Sequence, residues 1–513
     1  MAVKTYEDFP YEDLLTYAGI DTYVTFNLLA KMYPEISKPV RYKIPKGPGS
    51  QGFNSFEISE APSILSEALE IKKDALQFMV DMRVNGIAYD VSLNEEYGKQ
   101  MEQHIAALEA KIKRELGVEE INLDSDTDME ALLFGKLGLS TSVKTKGGKP
   151  SISGDALQEM FNTYGHSWLK DLIIRNDVAS VYRSFILDYV PKFVKRDGRI
   201  HPNYNLHGTS SHRISGDNPN LLNIPSPKHG YNIRSLYRVD NGNAFLTFDF
   251  SSCEVKVLAA LCKDPKMLES IEKGLDFHTF TAAQMYKIPY DELNAVIKAE
   301  DKNDPRFKVY KNYRKNAKAV TFGILYGSSV GGVAMNIGCT NEEAQKIIDS
   351  YFVTYPKIKE FVARCHKEAE LNKWIYTVFG QRKMEYGLLD MFRGTAVYNA
   401  ALRNAQNNKI QGPASTLGLV AFSKLNKEVK KLGGKAICTV YDSIELEVPI
   451  PRLAEAIELG YKCLDDYPVE TFDWLDFKIG CDGEVGYNWG ELCSIHRGMT
   501  QEEAIKALEE SCA

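Results

Sequence analysis

Three stretches of the chain carry residues whose types and spacing could do chemistry on phosphates. In Ala244–Lys256, AFLTFDFSSCEVK, five apolar or β-prone residues lead into Asp249. Ser251 and Ser252 then offer an N-cap to a helical run from Glu254. A carboxylate between a strand and a helix start can hold a hard cation, because magnesium takes oxygens from one or two carboxylates plus substrate phosphates. The same letters also read as punctuation, with Asp as a turn residue and Ser251-x-x-Glu254 as a capping box. In Lys311–Gly327, KNYRKNAKAVTFGILYG, the residues Arg314, Lys318, Phe322 and Tyr326 recur every fourth position, with Lys308, Lys311 and Lys315 nearby. On a helix each step of four overshoots a full turn by about 40°, so they form one slowly drifting stripe of two cations and two rings. Cations suit phosphates and rings stack on a base; the plainer alternative is an amphipathic helix with core rings and solvated cations. In Lys435–Val448, KAICTVYDSIELEV, two strands flank Asp442-Ser443 as a hairpin with an acidic tip. Asp-Ser is a poor two-residue turn beside Asn-Gly or Asp-Gly, which singles out Asp442.

Other stretches supply donors and framework. Residues 212–227, HRISGDNPNLLNIPSP, are crowded with turn formers and put Arg213, Asn220 and Asn223 on an irregular segment. Such donors suit phosphates or base edges, and equally a loop that satisfies its own backbone. A long helix from about Asn399 carries Arg403, Asn407 and Gln411 at every fourth position, able to donate into a duplex minor groove or simply to face water. Thr340-x-x-Glu343 opens a capped helix that stops before Pro356. Residues 1–40 predict one amphipathic helix ending near Pro34, with Tyr17 and Asp21 on one face, and residues 41–61 a Pro/Gly-rich linker. A helix over Ile64–Met82, and another carrying Leu93, Tyr97, Met101, Ile105, Leu108, Ile112 and Leu116 and closed by Gly117, predict an antiparallel pair. Lys144–Pro150, KTKGGKP, is a basic loop without the Gly-Lys-Ser/Thr ending of a P-loop. Arg199–Tyr204 reads as a strand, and Thr500–Glu510 as a capped helix appended at the end.

The 513 residues are enough for several domains, and 44% hydrophobic with 26% charged residues is an ordinary globular balance. A formal net charge of −7 excludes a chain that coats nucleic acid through bulk charge, while leaving room for a local basic cleft. Nine cysteines with no CxxC pair read as reduced thiols in a cytoplasmic compartment and give no zinc site. No apolar run is long enough to span a bilayer, and MAVKTYEDFP does not read as a signal peptide.

Taken in order, these stretches resemble the family A DNA polymerases, of the DNA polymerase I type, from about residue 62 to 490. DFSSCEVKVLA is similar to that family's first palm motif, RKNAKAVTFGILYG to its fingers helix, and VYDSIELEV to its second palm motif. The resemblance implies an α+β right hand: an antiparallel palm sheet with helical fingers and thumb. It divides the chain into an exonuclease-domain remnant (1–40), linker (41–61), thumb (62–190), first palm part (191–305), fingers (306–395), second palm part (396–493) and terminal extension (494–513). It implies template-directed DNA synthesis from dNTPs on primer–template DNA, with two Mg2+ ions, or Mn2+ in their place, held by Asp249, Asp442 and the Phe250 carbonyl. Arg314, Lys318 and His278 would bind the triphosphate, and Lys318 would also donate a proton to the leaving pyrophosphate. Phe322 would stack on the incoming nucleotide, Tyr326 would sit at the templating-base position, and Glu254 would exclude a ribose 2′-hydroxyl. Ser252 falls at a nucleotide-side position, and Arg213, Asn220, Asn223, Arg403, Asn407, Gln411 and Tyr441 at duplex-contacting ones. Phe322 in place of tyrosine implies poor use of dideoxynucleotides.

The chain departs from the family pattern in places. The usual His-Asp-Glu is Tyr441-Asp442-Ser443, Ser252 replaces a glutamine, Ser211-His212 a threonine-glycine, and Phe280 a glutamate. With both aspartates and the Arg-Lys pair present, the expectation is an active, divergent enzyme of bacteriophage type. Tyr17-x-x-x-Asp21 resembles the last motif of a 3′–5′ proofreading domain, but residues 1–40 hold no Asp-x-Glu. The expectation is no proofreading by this chain alone, with either a separate exonuclease polypeptide docking on 1–40 or a remnant used for folding. Two other readings are a single-subunit RNA polymerase and a polymerase-like DNA-binding module without catalysis.

Overall fold

In the computed structural model the strand leading to Asp249 is the middle of a five-stranded antiparallel sheet. The structure describes residues 23–24, 27–28, 30–34, 37–45, 56–61, 71–145, 147–209, 211–389 and 394–511. The strands are β1 (Asn243–Phe250), β2 (Lys435–Val440), β3 (Ser443–Pro449), β4 (Cys481–Gly486) and β5 (Leu492–Ile495), in the order β2-β3-β1-β4-β5. Ala244–Phe248 of β1 are all buried. Both faces of the sheet are covered, so the strand reads as a continuous apolar run rather than an alternating one. Phe248 and Leu246 join a core with Phe422, Ile457 and Leu508, while Phe245 faces Tyr237, Ile437 and Trp489 on the other side.

Helices cover the sheet and extend from it. They include α1 (Lys73–Asn85), α2 (Val91–Leu116), α3 (Ser167–Val181), α4 (Cys253–Cys262), α5 (Phe277–Tyr286), α6 (Pro305–Leu325), α7 (Ala396–Lys430), α8 (Leu453–Tyr461) and α9 (Gln501–Glu510). A separate core joins Val255 and Leu258 of α4 to Val320 and Ile324 of α6 and to Tyr351 and Tyr355. Another, farther along α2, gathers Ile112, Leu133, Leu157 and Leu172. Among the described residues no helix is long and apolar enough to cross a membrane.

Several sequence expectations hold. Gly117 closes α2 in the left-handed conformation, and the Thr340/Glu343 and Thr500/Glu503 capping boxes both form. Others are corrected. α1 and α2 are not a packed pair: α1 lies against β2 and α7, and α2 runs with α3. The buried face of α1, Ala75, Phe78, Met79 and Met82, belongs to the sheet's core, and Gly86 (φ 60°) turns the chain into a short strand, Ile87–Tyr89, before α2. The linker 41–61 contains a β-hairpin, Val40–Pro45 with Phe56–Ala61, whose Tyr42 ring lies 4.7 Å from Tyr376. The Arg199–Tyr204 strand is broken at Pro202 into Arg199–Ile200 and Asn203–Asn205, which pair in different sheets; proline has no N–H for a ladder. The terminal helix α9 is no appendage, because Ala504 and Leu508 are fully buried in the main core. Tyr17 and Asp21, and most of 1–40, lie outside the described residues.

β1 and α8 meet where Gly460 leaves room for the Phe248 ring, and a Cβ there would collide with that ring. Gly460→Ala is therefore expected to lower stability by about 2 kcal/mol or more, because an overpacked core must shift rings or backbone. A urea melt of the variant checks this, and an unchanged midpoint would refute the close packing.

Candidate active site

Strand register brings the two aspartates together. Asp249 lies directly across from Ser443 on β3 and from Asp482 on β4. The Phe250 N–H donates to the Asp442 carbonyl at 3.0 Å. The β2–β3 turn is Tyr441-Asp442, bounded by the Val440–Ser443 pair, and not the Asp442-Ser443 expected from sequence. Tyr441 takes the left-handed conformation (φ 56°) that two-residue hairpins require and that glycine or asparagine usually supplies.

The carboxylates are crowded. Packing around Asp249, and the charges of Asp442, Asp482 and Glu484, push its pKa up to about 6, with Arg234 pulling the other way. Its side chain stays open to solvent, so desolvation is partial and the clustered charge is what a cation would relieve. Burial raises Asp442 as well, opposed by Arg213. Among the described residues no group of three or more acidic, His or Cys side chains is arranged to hold a metal alone. Two hard carboxylates plus a backbone oxygen fit a divalent cation that completes its shell with water and substrate phosphate.

Beside them, Glu254 of α4 is 5% exposed and ion-paired to Arg213. The Ser251/Glu254 capping box, the plainer alternative, does not form; Ser252 is left-handed (φ 56°) and makes no side-chain cap. Glu254 is spent on Arg213 instead, and burial raises its pKa against that pairing. The Arg213 guanidinium stacks 5.3 Å over the Tyr441 ring. The Tyr326 hydroxyl is held up in pKa by burial and by Glu254, so the ring end of the stripe reaches the acidic centre.

The stripe itself lies on α6 as the periodicity predicts. Phe322 and Tyr326 stack at 5.7 Å, and Lys318 sits 5.8 Å over Phe322. His278 of α5, 5% exposed, packs 5.6 Å from Phe322. Burial, with Arg314 and Lys318 nearby, pushes its pKa down to about 4 against the pull of Asp276, which leaves it neutral at pH 7. Arg314 donates to both oxygens of Asp276 at 3.0 Å and to Thr279 Oγ1 at 3.1 Å. Burial alone would raise Asp276, but the bonds it accepts from Arg314 and from Thr279, whose N–H donates at 2.7 Å, outweigh it and hold its pKa at about 2.

The remaining candidates divide. Arg403 of α7 packs on Gly327 (φ 67°), where a Cβ would strike its side chain, so this row meets the end of α6. Gln411 is 8% exposed, and Asn407 keeps a buried carbonyl with no partner among the described residues, so the row is not merely solvated. Asn220 accepts from the Leu222 N–H at 3.1 Å, which is the self-satisfying loop, and Asn223 is exposed. The Phe250 side chain is 3% exposed, which leaves only its backbone toward the site. Sequence reading missed Asp276, Arg234, Asp482, Glu484 and Glu445. Asp276 was detectable as the cap of the His278 helix; Asp482, Glu484 and Glu445 needed the strand register, and Arg234, on a short 3-10 turn at Ile233–Leu236, needed the tertiary packing.

An acidic strand end and hairpin tip in an antiparallel sheet, faced by a cationic and aromatic helix, define the fold of a right-hand polymerase domain. The family model for DNA polymerase family A matches residues 91–491, and the chain belongs to that family. It is 32% identical over 426 residues to the thermostable DNA polymerase I of Thermus filiformis, covering 82% of this chain and 48% of that protein. It is 28% identical over 450 residues to DNA polymerase I of Chloroflexus aurantiacus, covering 86% and 45%. The chain thus spans about half the length of the curated relatives it matches. The POL domain of Pol1 from M. smegmatis, solved in complex with DNA primer-template and dNTP, superposes with a TM-score of 0.74 at 27% identity, covering 83% of this chain and 71% of that one.

The Asp276 carboxyl sits below its unfolded value, so its stabilising contribution is complete above pH about 4 and lost as pH falls toward 2. Asp276→Asn is expected to cost about 1 kcal/mol at pH 7, after discounting for solvent screening of a part-exposed pair. Urea melts at pH 7, 4 and 2.5 should show that gap closing at the acid end; a gap that does not change with pH would exclude the pairing.

Proposed function

We propose that this chain is a DNA-directed DNA polymerase that extends a primer 3′-hydroxyl with dNTPs, with a role in bacteriophage replication. The observation that carries the reading is the register of β1 and β3, which joins Asp249 to Asp442 beside the ring end of the α6 stripe. Two magnesium or manganese ions held by Asp249, Asp442 and the Phe250 carbonyl would supply charge neutralisation and activate the primer hydroxyl. The residues of the chain do the positioning on which phosphoryl transfer depends. Arg314 and Lys318 bind the β- and γ-phosphates, and Lys318 gives a proton to the departing pyrophosphate. For this Arg314 trades Asp276 for phosphate. His278, uncharged, adds a hydrogen bond at the phosphate end, and Ser252 lies on the nucleotide side. Phe322 stacks on the incoming nucleotide, and Tyr326 holds the templating position. Glu254, fixed by Arg213, occupies the volume a 2′-hydroxyl would need. Arg403, Asn407 and Gln411 reach the duplex, with Tyr441, Asn220 and Asn223 at its primer side. The palm is formed from 191–305 and 396–493, the fingers from 306–395, and the thumb from 62–190, of which α1 packs on the palm sheet and the Lys144–Pro150 loop contacts the backbone.

Primer extension checks the reading. Wild type is expected to add dNTPs and not NTPs, only with a divalent cation, and Asp442→Ala to lose activity by about a thousandfold or more. Incorporation of NTPs would favour the RNA polymerase alternative. Primer–template binding without extension by either protein would favour the non-catalytic module.

We further propose that this chain carries no proofreading centre, because residues 1–40 offer Tyr17 and Asp21 without an Asp-x-Glu partner; a separate exonuclease polypeptide docking there would complete one. A mismatched primer incubated with the chain, magnesium and no nucleotides should keep its length, and shortening would overturn this.

A further inference from the structure

We infer that Glu445 is a positioning residue which, acting through the Ser443 hydroxyl, clamps the two-residue turn that presents Asp442. Its kinetic consequence rests on the polymerase reading above.

The turn needs outside support. Tyr441 holds a left-handed backbone that a bulky residue enters reluctantly. Val440 and Ser443 are the paired residues at its two ends. Thr439 Oγ1 donates to the Ser443 carbonyl at 2.6 Å, which fixes one side. Ser443 Oγ lies 3.2 Å from the Val440 carbonyl and 2.6 Å from Glu445 Oε1. A serine hydroxyl has one proton and cannot donate to both. Every contact is satisfied if Glu445 carries a proton: Glu445 donates to Ser443 Oγ, and Ser443 donates to the Val440 carbonyl. The clamp then runs from the body of β3, through Ser443, across the mouth of the turn.

The surroundings of Glu445 favour that protonated form. It is 1% exposed, and its Oε2 has no hydrogen-bond partner among the described residues. In the sheet it stands between Cys438 on β2 and Thr247 on β1. Burial pushes its pKa up to about 7, outweighing the Ser443 and Cys438 hydrogen bonds and the Arg234 charge that pull it down, with the nearby charge of Asp249 acting in the same direction as burial. A neutral acid tolerates an unpaired oxygen there far better than a carboxylate does. The arrangement also accounts for a departure in the sequence. The family resemblance puts a carboxylate at position 443, next to Asp442; here that position is serine. A carboxyl group stands two residues farther along β3, on the same face and out of solvent.

Were Glu445 only a core residue, replacing it with leucine would be neutral or stabilising, as with other buried ionisable groups. The clamp makes a different prediction. Glu445→Gln keeps a donor to Ser443 and should retain kcat within about twofold, whereas Glu445→Leu and Ser443→Ala should lower kcat about tenfold or more with dNTP KM and primer–template Kd within about twofold. Hydrogen exchange of the peptide spanning 438–446 supplies a readout independent of catalysis. It should accelerate in Glu445→Leu and Ser443→Ala and stay at the wild-type rate in Glu445→Gln. Should the leucine variant fold poorly, Ser443→Ala carries the same test. Wild-type kcat with unchanged exchange in the broken variants overturns the inference, as does an equal loss in Glu445→Gln. If the wild type itself does not extend primers, the polymerase reading fails, and exchange alone decides the clamp.

Discussion

The pairing of β1 between β3 and β4 is the constraint on which the rest of the molecule depends. A shift of one residue in that register would turn Asp249 to the opposite face of the sheet and separate it from Asp442. The register is held by burial rather than by the polar groups it serves. Phe248 and Leu246 are locked into one core and Phe245 into another, so sliding β1 would expose apolar surface on both sides. That burial offsets the repulsion of Asp249, Asp442, Asp482 and Glu484 gathered at one strand end.

Two arginines of the site are already paired. Arg213 is bound to Glu254 and Arg314 to Asp276. Pairing fixes each guanidinium in a defined place at the cost of making an incoming phosphate compete for it. Lys318 differs: it is exposed and touches the Phe322 ring. The two cations of the stripe, equivalent by spacing, thus enter any encounter with an anion in different states.

What could be read from sequence was what local pattern encodes. The strand before Asp249, the stripe on α6, the capping boxes and the Gly117 stop all follow from periodicity or from one residue's backbone preference. What could not be read was the choice of partner. α1 is amphipathic whether it packs on α2 or on the sheet, and only the tertiary structure selects the sheet. The hairpin within 41–61 was hidden because the glycines and prolines between its strands outweighed the short runs VRYKIP and FEISEA. The β2–β3 turn was displaced by one residue because Tyr441 is a poor turn former, and the alternation of β3 overrode it. Asp482, Glu484 and Glu445 are ordinary strand residues in sequence. They matter only because β1 lies beside them.

The helix α7 runs 35 residues, about 52 Å at the usual rise, and remains helical across Pro413. Tyr398 and Ala405 near its start belong to one hydrophobic cluster, Ile410 to a second, and Leu417 to Val429 to the main core. A single rod therefore threads three separately packed regions, and each grips a different segment of it. None of them can loosen far without tugging on the next, so the lobes share one mechanical fate.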